Sequence, residues 1–216
     1  MDESTNKEKV LKNIRNALIS RQENPFQNID LDSPVCPPLD ETPDVYFARE
    51  FTRAGGKFVY CESEVEMQST LSSLLVAEGL LPVYAADESI RALLASRNIE
   101  VLDIVSGPQG MRTSVTYCEF LVARTGSIMM SSRLAGGRRL MVLPEVHIVI
   151  AFSSQIVAEI RDAFEQIREK YQDHLPSSIP LITGPSRTAD IEKTLIMGAH
   201  GPRELYVFLV DNSELL

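Results

Sequence analysis

Tryptophan is absent from this chain, and aromatic residues of all kinds make up only 6% of it. That leaves no stacking platform of the sort single-stranded nucleic-acid binders use. An excess of positive charge is missing too. The formal net charge is −9, which argues against a nucleic-acid partner or an anionic membrane surface. Arg133, Arg138 and Arg139 form only a local basic patch. Cysteine is scarce: Cys36, Cys61 and Cys118 lie far apart, with no CxxC and no Cys/His pairing. A structural zinc site or a local iron–sulfur motif is therefore not predicted. Dispersed, odd-numbered cysteines fit a reducing compartment better than a disulfide framework. No apolar run reaches membrane-spanning length, and MDESTNKEKV lacks the apolar core of a signal peptide. The expectation is a cytoplasmic protein with no membrane insertion.

Familiar catalytic signatures are missing as well. There is no G-x-G-x-x-G, no Walker A pattern, no G-x-S-x-G elbow and no H-E-x-x-H. Gly107 and Gly110 bracket G-P-Q-G, which is not a dinucleotide fingerprint.

What is present is a good core. Hydrophobic residues are 44% of 216, enough for one large domain or a domain with an appendage. In residues 5–21, Val10, Leu11, Ile14, Ala17 and Leu18 recur at helical spacing. Residues 22–43 are rich in Pro, Asp and Asn and read as an extended connector. Residues 1–43 are thus expected to be a helix and connector, and residues 44–216 an α/β domain. The helix could pack on its own domain or on a second copy, so a homo-oligomer is left open.

From residue 44 strands and helices alternate. Helices are predicted over 45–54, 64–78 and 88–96, with strands over 57–61, 81–85 and 101–105. That rhythm predicts a Rossmann-like, mainly parallel sheet covered by helices. Strands over 118–123 and 127–131, joined by the turn Thr125-Gly126, suggest a partly antiparallel insertion or edge. Another strand is expected over 146–152. A long helix is expected over 155–171, with Ile156, Ile160, Ala163, Phe164 and Ile167 on one face. The chain then closes over 181–210 as strand, polar loop, helix, turn and strand.

The polar loop Thr183-Gly184-Pro185-Ser186-Arg187-Thr188 is the leading candidate site. Open α/β proteins bind ligands beyond the carboxyl ends of strands. A helix start with Ser186, Arg187 and Thr188 supplies donors for an anion. The same residues are also the ordinary ones for starting a helix, with Asp190 and Glu192 offsetting its dipole. Arg139, after the Gly136-Gly137 loop, is a second candidate cation, beside the plainer reading of a solvated turn. Of the three histidines, His174 reads as exposed and dispensable. His147, in an apolar strand, and His200, in Gly198-Ala199-His200-Gly201-Pro202, are candidate proton-transfer groups. A buried structural histidine and a helix-capping histidine are the competing readings.

Thr125-Gly126-Ser127, then Arg139-Leu140 with Leu143-Pro144-Glu145-Val146-His147-Ile148, then 183–192 and Gly198-Ala199-His200-Gly201-Pro202 occur in this order. Together they resemble the LUD-domain family, and within it the lactate utilization protein C type. The resemblance implies a fold similar to the sugar-phosphate isomerase and CoA-transferase group. It implies a role in oxidising L-lactate to pyruvate beside iron–sulfur partner proteins, with no cofactor in this chain. The expected function is an accessory subunit of that system binding a small anionic metabolite. The alternatives are an enzyme acting on a phosphosugar or acyl-CoA-like metabolite, and a non-catalytic interaction protein. The motifs carry Thr125, Gly126, Arg139, Gly184, Ser186, Arg187 and Thr188 as ligand-binding candidates and His147 and His200 as catalytic ones. No metal ligands are expected. The family commonly reads A-E-T-G where this chain has Ala123-Arg124-Thr125-Gly126, and its usual upstream aspartate is Glu119 here. A guanidinium stays protonated and cannot replace a carboxylate as nucleophile.

Overall fold

The computed structural model describes residues 5–19, 36–103, 110–134, 137–191, 194–197 and 201–212. It divides into two units, Met1–Pro38 and Leu39–Leu216. The first carries helix α1 (Asn6–Ile19). Its start is closed reciprocally: Thr5 N–H donates to the Glu8 carboxylate and Glu8 N–H to Thr5 Oγ1. That is the logic of a capping box.

In the second unit Pro43 opens helix α2 (Pro43–Arg53), with Thr42 still extended. Proline suits that position because its missing N–H has no helical partner. Phe47 and Phe51, one turn apart, are buried and stacked at 5.4 Å. Strand β1 (Lys57–Cys61) follows. Ser63 caps helix α3 (Glu64–Ala77) by accepting from Glu66 N–H. After β2 (Val83–Tyr84), Asp87 caps helix α4 (Glu88–Ser96) through Ser89 and Ile90 N–H groups. Then come β3 (Val101–Leu102), β4 (Thr113–Tyr117), β5 (Phe120–Val122) and β6 (Ser127–Met129). The single-turn helix α5 (Arg139–Val142) leads to β7 (Val146–Phe152). The chain continues through β8 (Ile156–Val157), α6 (Ile160–Tyr171), β9 (Leu181–Ile182), β10 (Arg187–Ile191), β11 (Thr194–Met197) and β12 (Glu204–Val210).

Six strands form a parallel sheet in the order β1-β12-β7-β4-β2-β3. Its central strands, β4, β7 and β12, are buried on both faces, which is why they read as nearly continuous apolar or β-branched runs. On one face Met67, Leu71 and Leu75 of α3 and Ile90 and Leu94 of α4 pack on Ile148, Ile150 and Phe208. The other face is covered differently. Phe47 and Phe51 of α2, with Leu121 and Ile128 of a second sheet, pack on Val149, Val207 and Leu209. That second sheet is mixed, in the order β8-β5-β6-β9. Its outer face is closed by Ala163 and Ile167 of α6. The predicted α/β architecture and its partly antiparallel insertion are both present. Helices α3 and α4 cover one face of the parallel sheet, and α2 shares the other face with the second sheet.

Three expectations change. Strand β4 was not predicted; its Thr113, Ser114 and Thr116 are polar but fully buried, so the apolar pattern is masked. The helix expected from residue 155 starts at Ile160, because Ile156 and Val157 pair in parallel with Leu121 and Val122. Gln155 ties that turn by donating to the Cys118 and Glu119 carbonyls, and Phe164 lies 39% exposed rather than on the core stripe. The helix expected after the polar loop is an antiparallel hairpin, β10 with β11, pairing Arg187 with Met197 and Thr188 with Ile196. β-Branched Thr188, Ile191, Thr194 and Ile196 punctuate that segment, and such residues favour the pleated state. The helix N-terminus that was to bind an anion is therefore not there.

Candidate functional site

The polar loop leaves β9 in the small sheet and is fastened at both ends. Gly184 has φ 79° and is buried. A Cβ there would stand 2.4 Å from the Ala54 carbonyl oxygen, so only glycine allows the loop to lie this close to the end of α2. Arg187 Nη2 donates to that same carbonyl at 2.9 Å. On the other side Ser186 N–H donates to the Pro202 carbonyl at 2.8 Å. Pro202 is two residues ahead of β12, and Arg203 N–H donates to the carbonyl of Glu145, just ahead of β7.

Between this loop and α5 lies a cavity of about 400 Å³. Arg138, Met141 and Val142 form one wall, and Leu181, Ile182 and Thr183 part of another. Gly184, Ser186, Arg187, Gly201 and Pro202 complete the side nearest β12. The cavity therefore sits by the amino end of β12, not outside the carboxyl ends of the parallel strands where the expectation put it. Among the described residues the lining contains two arginines and no acidic side chain. Among the described residues, neither Arg138 nor Arg187 takes part in an ion pair. Two guanidiniums lining a partly apolar space, with no counter-charge among the described residues, make a site suited to an organic anion.

The sequence candidates distribute unevenly around it. Gly184, Ser186 and Arg187 line the cavity, and Thr188 lies on β10 opposite Ile196. Arg139 is exposed at the start of α5 and is not in the lining; its neighbour Arg138, which the sequence marks as part of a basic patch, is. The double arginine was the available signal, but sequence alone could not say which one faces inward. Thr125 and Gly126 stand away from the cavity. Gly126 has φ 57°, and a Cβ there would meet Phe51 N at 2.3 Å. The turn is thus a contact with the backbone of α2. Ser127 Oγ lies 2.7 Å from both Thr125 Oγ1 and Thr183 Oγ1, linking this turn to the cavity wall. His200 lies outside the described residues, as does Gly136.

His147 is fully buried in β7, between Ser114 of β4 and Leu205 of β12. Its Nε2 is 2.8 Å from Thr116 Oγ1, and its Nδ1 has no partner. Burial penalises the imidazolium and lowers its pKa to about 4. The ring is neutral at physiological pH and is not part of the cavity lining.

Two further charged groups hold the scaffold. Arg124 Nε donates to the Glu159 carboxylate, which flanks the start of α6. The guanidinium where the family resemblance leads one to expect a carboxylate thus carries its own counter-ion. The Glu119 side chain is fully buried and accepts from Ser131 Oγ, Tyr171 OH and Lys170 Nζ. Burial alone would lower the Lys170 pKa, but the hydrogen bond and charge of Glu119 outweigh it and raise the value. Cys61 and Cys118 are buried and Cys36 exposed, none in a disulfide. Burial lifts the Cys61 thiol to about 11, leaving it protonated. Among the described residues no group of three or more His, Cys, Asp or Glu side chains could hold a metal ion, and no helix is long and apolar enough to cross a membrane.

Comparison with known proteins places these features in context. Residues 109–210 match the LUD domain, a stretch that contains the whole cavity lining. The chain is 29% identical over 176 residues to lactate utilization protein C of Anoxybacillus flavithermus, covering 76% of this chain and 78% of that one. It is 33% identical over 119 residues to lactate utilization protein C of Shouchella clausii, covering 55% and 49%. An uncharacterized protein of Neisseria meningitidis is 38% identical over 140 residues, covering 61% and 60%. Among solved structures, a DUF162 family protein from Deinococcus radiodurans has the same fold. Its TM-score is 0.61 at 21% identity, covering 81% of this chain and 99% of that one.

Proposed function

We infer that this chain, which belongs to the LUD-domain family and is similar to its lactate utilization protein C members, is an accessory subunit of an iron–sulfur L-lactate oxidation system. In this reading the redox centres sit on partner proteins. This subunit holds a small organic anion in the cavity between α5 and the 183–187 loop. The observation that carries the reading is the pairing of Arg138 with Arg187 around a space whose lining, among the described residues, has no carboxylate. A carboxylate bound there would face two permanent cations in a setting partly screened from water, where charge-assisted hydrogen bonds are strong.

Gly184 and the Arg187–Ala54 contact fix the loop against α2, so the site is built on the scaffold rather than left to a free loop. The role is tested in the cell. A tagged chain purified from lactate-grown cells is expected to bring down cluster-bearing partners, and deletion of its gene to slow growth on lactate. Normal growth together with no cluster-bearing partner would overturn the reading.

A further inference from the structure

We propose that the cavity's ligand is an amphipathic polyanion, an apolar body carrying two or more negative charges on phosphate groups, rather than a lone three-carbon hydroxy acid. The inference rests on the anion-site reading above and narrows its ligand class. Three observations carry it. The cavity of about 400 Å³ falls within the range of roughly 300–1,000 Å³ that encloses drug-sized ligands, far more than one small hydroxy acid fills. Its two guanidiniums come from different elements, Arg138 from the start of α5 and Arg187 from β10, so each can take a separate charge. Between them lie Met141, Val142, Leu181, Ile182 and Pro180, a wall that a monocarboxylate would leave unused.

Positive charge continues past the cavity. Arg139 follows Arg138, Arg203 follows Pro202, and Arg112 bonds through its carbonyl to Val146, at the start of β7. All three are exposed, and among the described residues none is ion-paired. In a chain of net charge −9, these arginines, two of them just ahead of the central strands β4 and β12, favour multiply charged ligands. Arginine's planar fork matches phosphate oxygens two at a time. An apolar tail lying on the wall would gain about fourfold in affinity for each methylene removed from water.

The test is calorimetric titration of the full chain with L-lactate, hexyl phosphate, hexyl diphosphate and pyrophosphate. The expected order is hexyl diphosphate tightest, at least tenfold tighter than L-lactate, with pyrophosphate at least tenfold weaker than its hexyl ester. Arg138→Gln is expected to weaken hexyl diphosphate at least tenfold. Arg138 is exposed and has no hydrogen bond to lose, so that variant should fold; circular dichroism checks it. On the unaltered protein, raising salt should weaken hexyl diphosphate more steeply than L-lactate. L-Lactate binding as tightly as hexyl diphosphate would overturn this inference and leave the anion-site reading standing. Equal binding of pyrophosphate and its ester, or indifference to Arg138→Gln, would also overturn it. Binding of none of the four would overturn both.

Discussion

Gly126→Ala separates a motif that looks like a ligand site from one that holds the fold. Gly126 sits at φ 57° and ψ 37°, in the left-handed region, directly after the turn Ala123–Thr125. An alanine there costs about 1–2 kcal/mol in backbone conformation alone. Its methyl carbon would also stand 2.3 Å from Phe51 N, 2.5 Å from Glu50 C and 2.8 Å from Phe51 Cα. Those atoms are backbone in the last turn of α2 and cannot swing aside, so the helix must shift. Overpacking of that kind costs about 1–3 kcal/mol. The sum, about 2–5 kcal/mol, is a large part of the roughly 5–15 kcal/mol that holds a typical domain together. At about 2–4 °C per kcal/mol for a chain of this size, the melting temperature should fall by roughly 4–20 °C. Urea and thermal unfolding measure it, and anion affinity of the protein that remains folded should be unchanged. A loss under about 0.5 kcal/mol, or a normal melting temperature with lost anion binding, would refute the packing argument and return the turn to the site.

Two other perturbations follow from buried charge. His147 is neutral when folded, with its pKa lowered to about 4 from an ordinary value of about 6.5. The unfolded chain therefore takes a proton first as pH falls. Its contribution to stability is complete above about pH 6.5 and declines by about 3 kcal/mol as pH approaches 4. Urea unfolding between pH 7 and 4.5 should show that slope in the natural protein and a shallower one in His147→Gln; equal slopes would contradict the assignment. Arg124→Glu, which restores the carboxylate the family resemblance predicts, sets it against Glu159 at side-chain exposures of 17% and 39%. A cost of about 1–3 kcal/mol is expected, less than for a fully buried pair because of solvent screening. Adding Glu159→Arg should recover part of it, and strictly additive losses in a double-mutant cycle would count against the pairing.

The sequence made much of the α/β frame legible because periodicity and caps are local. The strands over 57–61 and 146–152 and the helix over 88–96 coincide with observed elements, since apolar runs and an Asp87 cap mark their ends. Two failures have a tertiary cause. Thr113, Ser114 and Thr116 are polar yet buried between neighbouring strands, which no one-dimensional pattern announces. Residues 187–197 carry enough helix formers to suggest a helix, but the chain pairs them as a hairpin. The site was legible in part. Gly184, Ser186 and Arg187 were picked out by loop chemistry and do line the cavity. Choosing Arg138 over Arg139 required the orientation of a one-turn helix. Gly126 enters through the family resemblance, and a close-approach glycine looks the same in sequence whether it meets a ligand or another stretch of backbone.

The claim at the centre of this account is that Arg138 and Arg187 make one anion site. The most direct test is isothermal titration of the full chain with pyruvate and L-lactate, repeated on Arg138→Gln. The account predicts saturable binding of at least one of the two, weakened tenfold or more by the substitution, since one lost charge-assisted contact is worth about 1.5–3 kcal/mol. Undiminished affinity in Arg138→Gln, or no binding of either acid together with no binding of hexyl diphosphate to the natural protein, would contradict it.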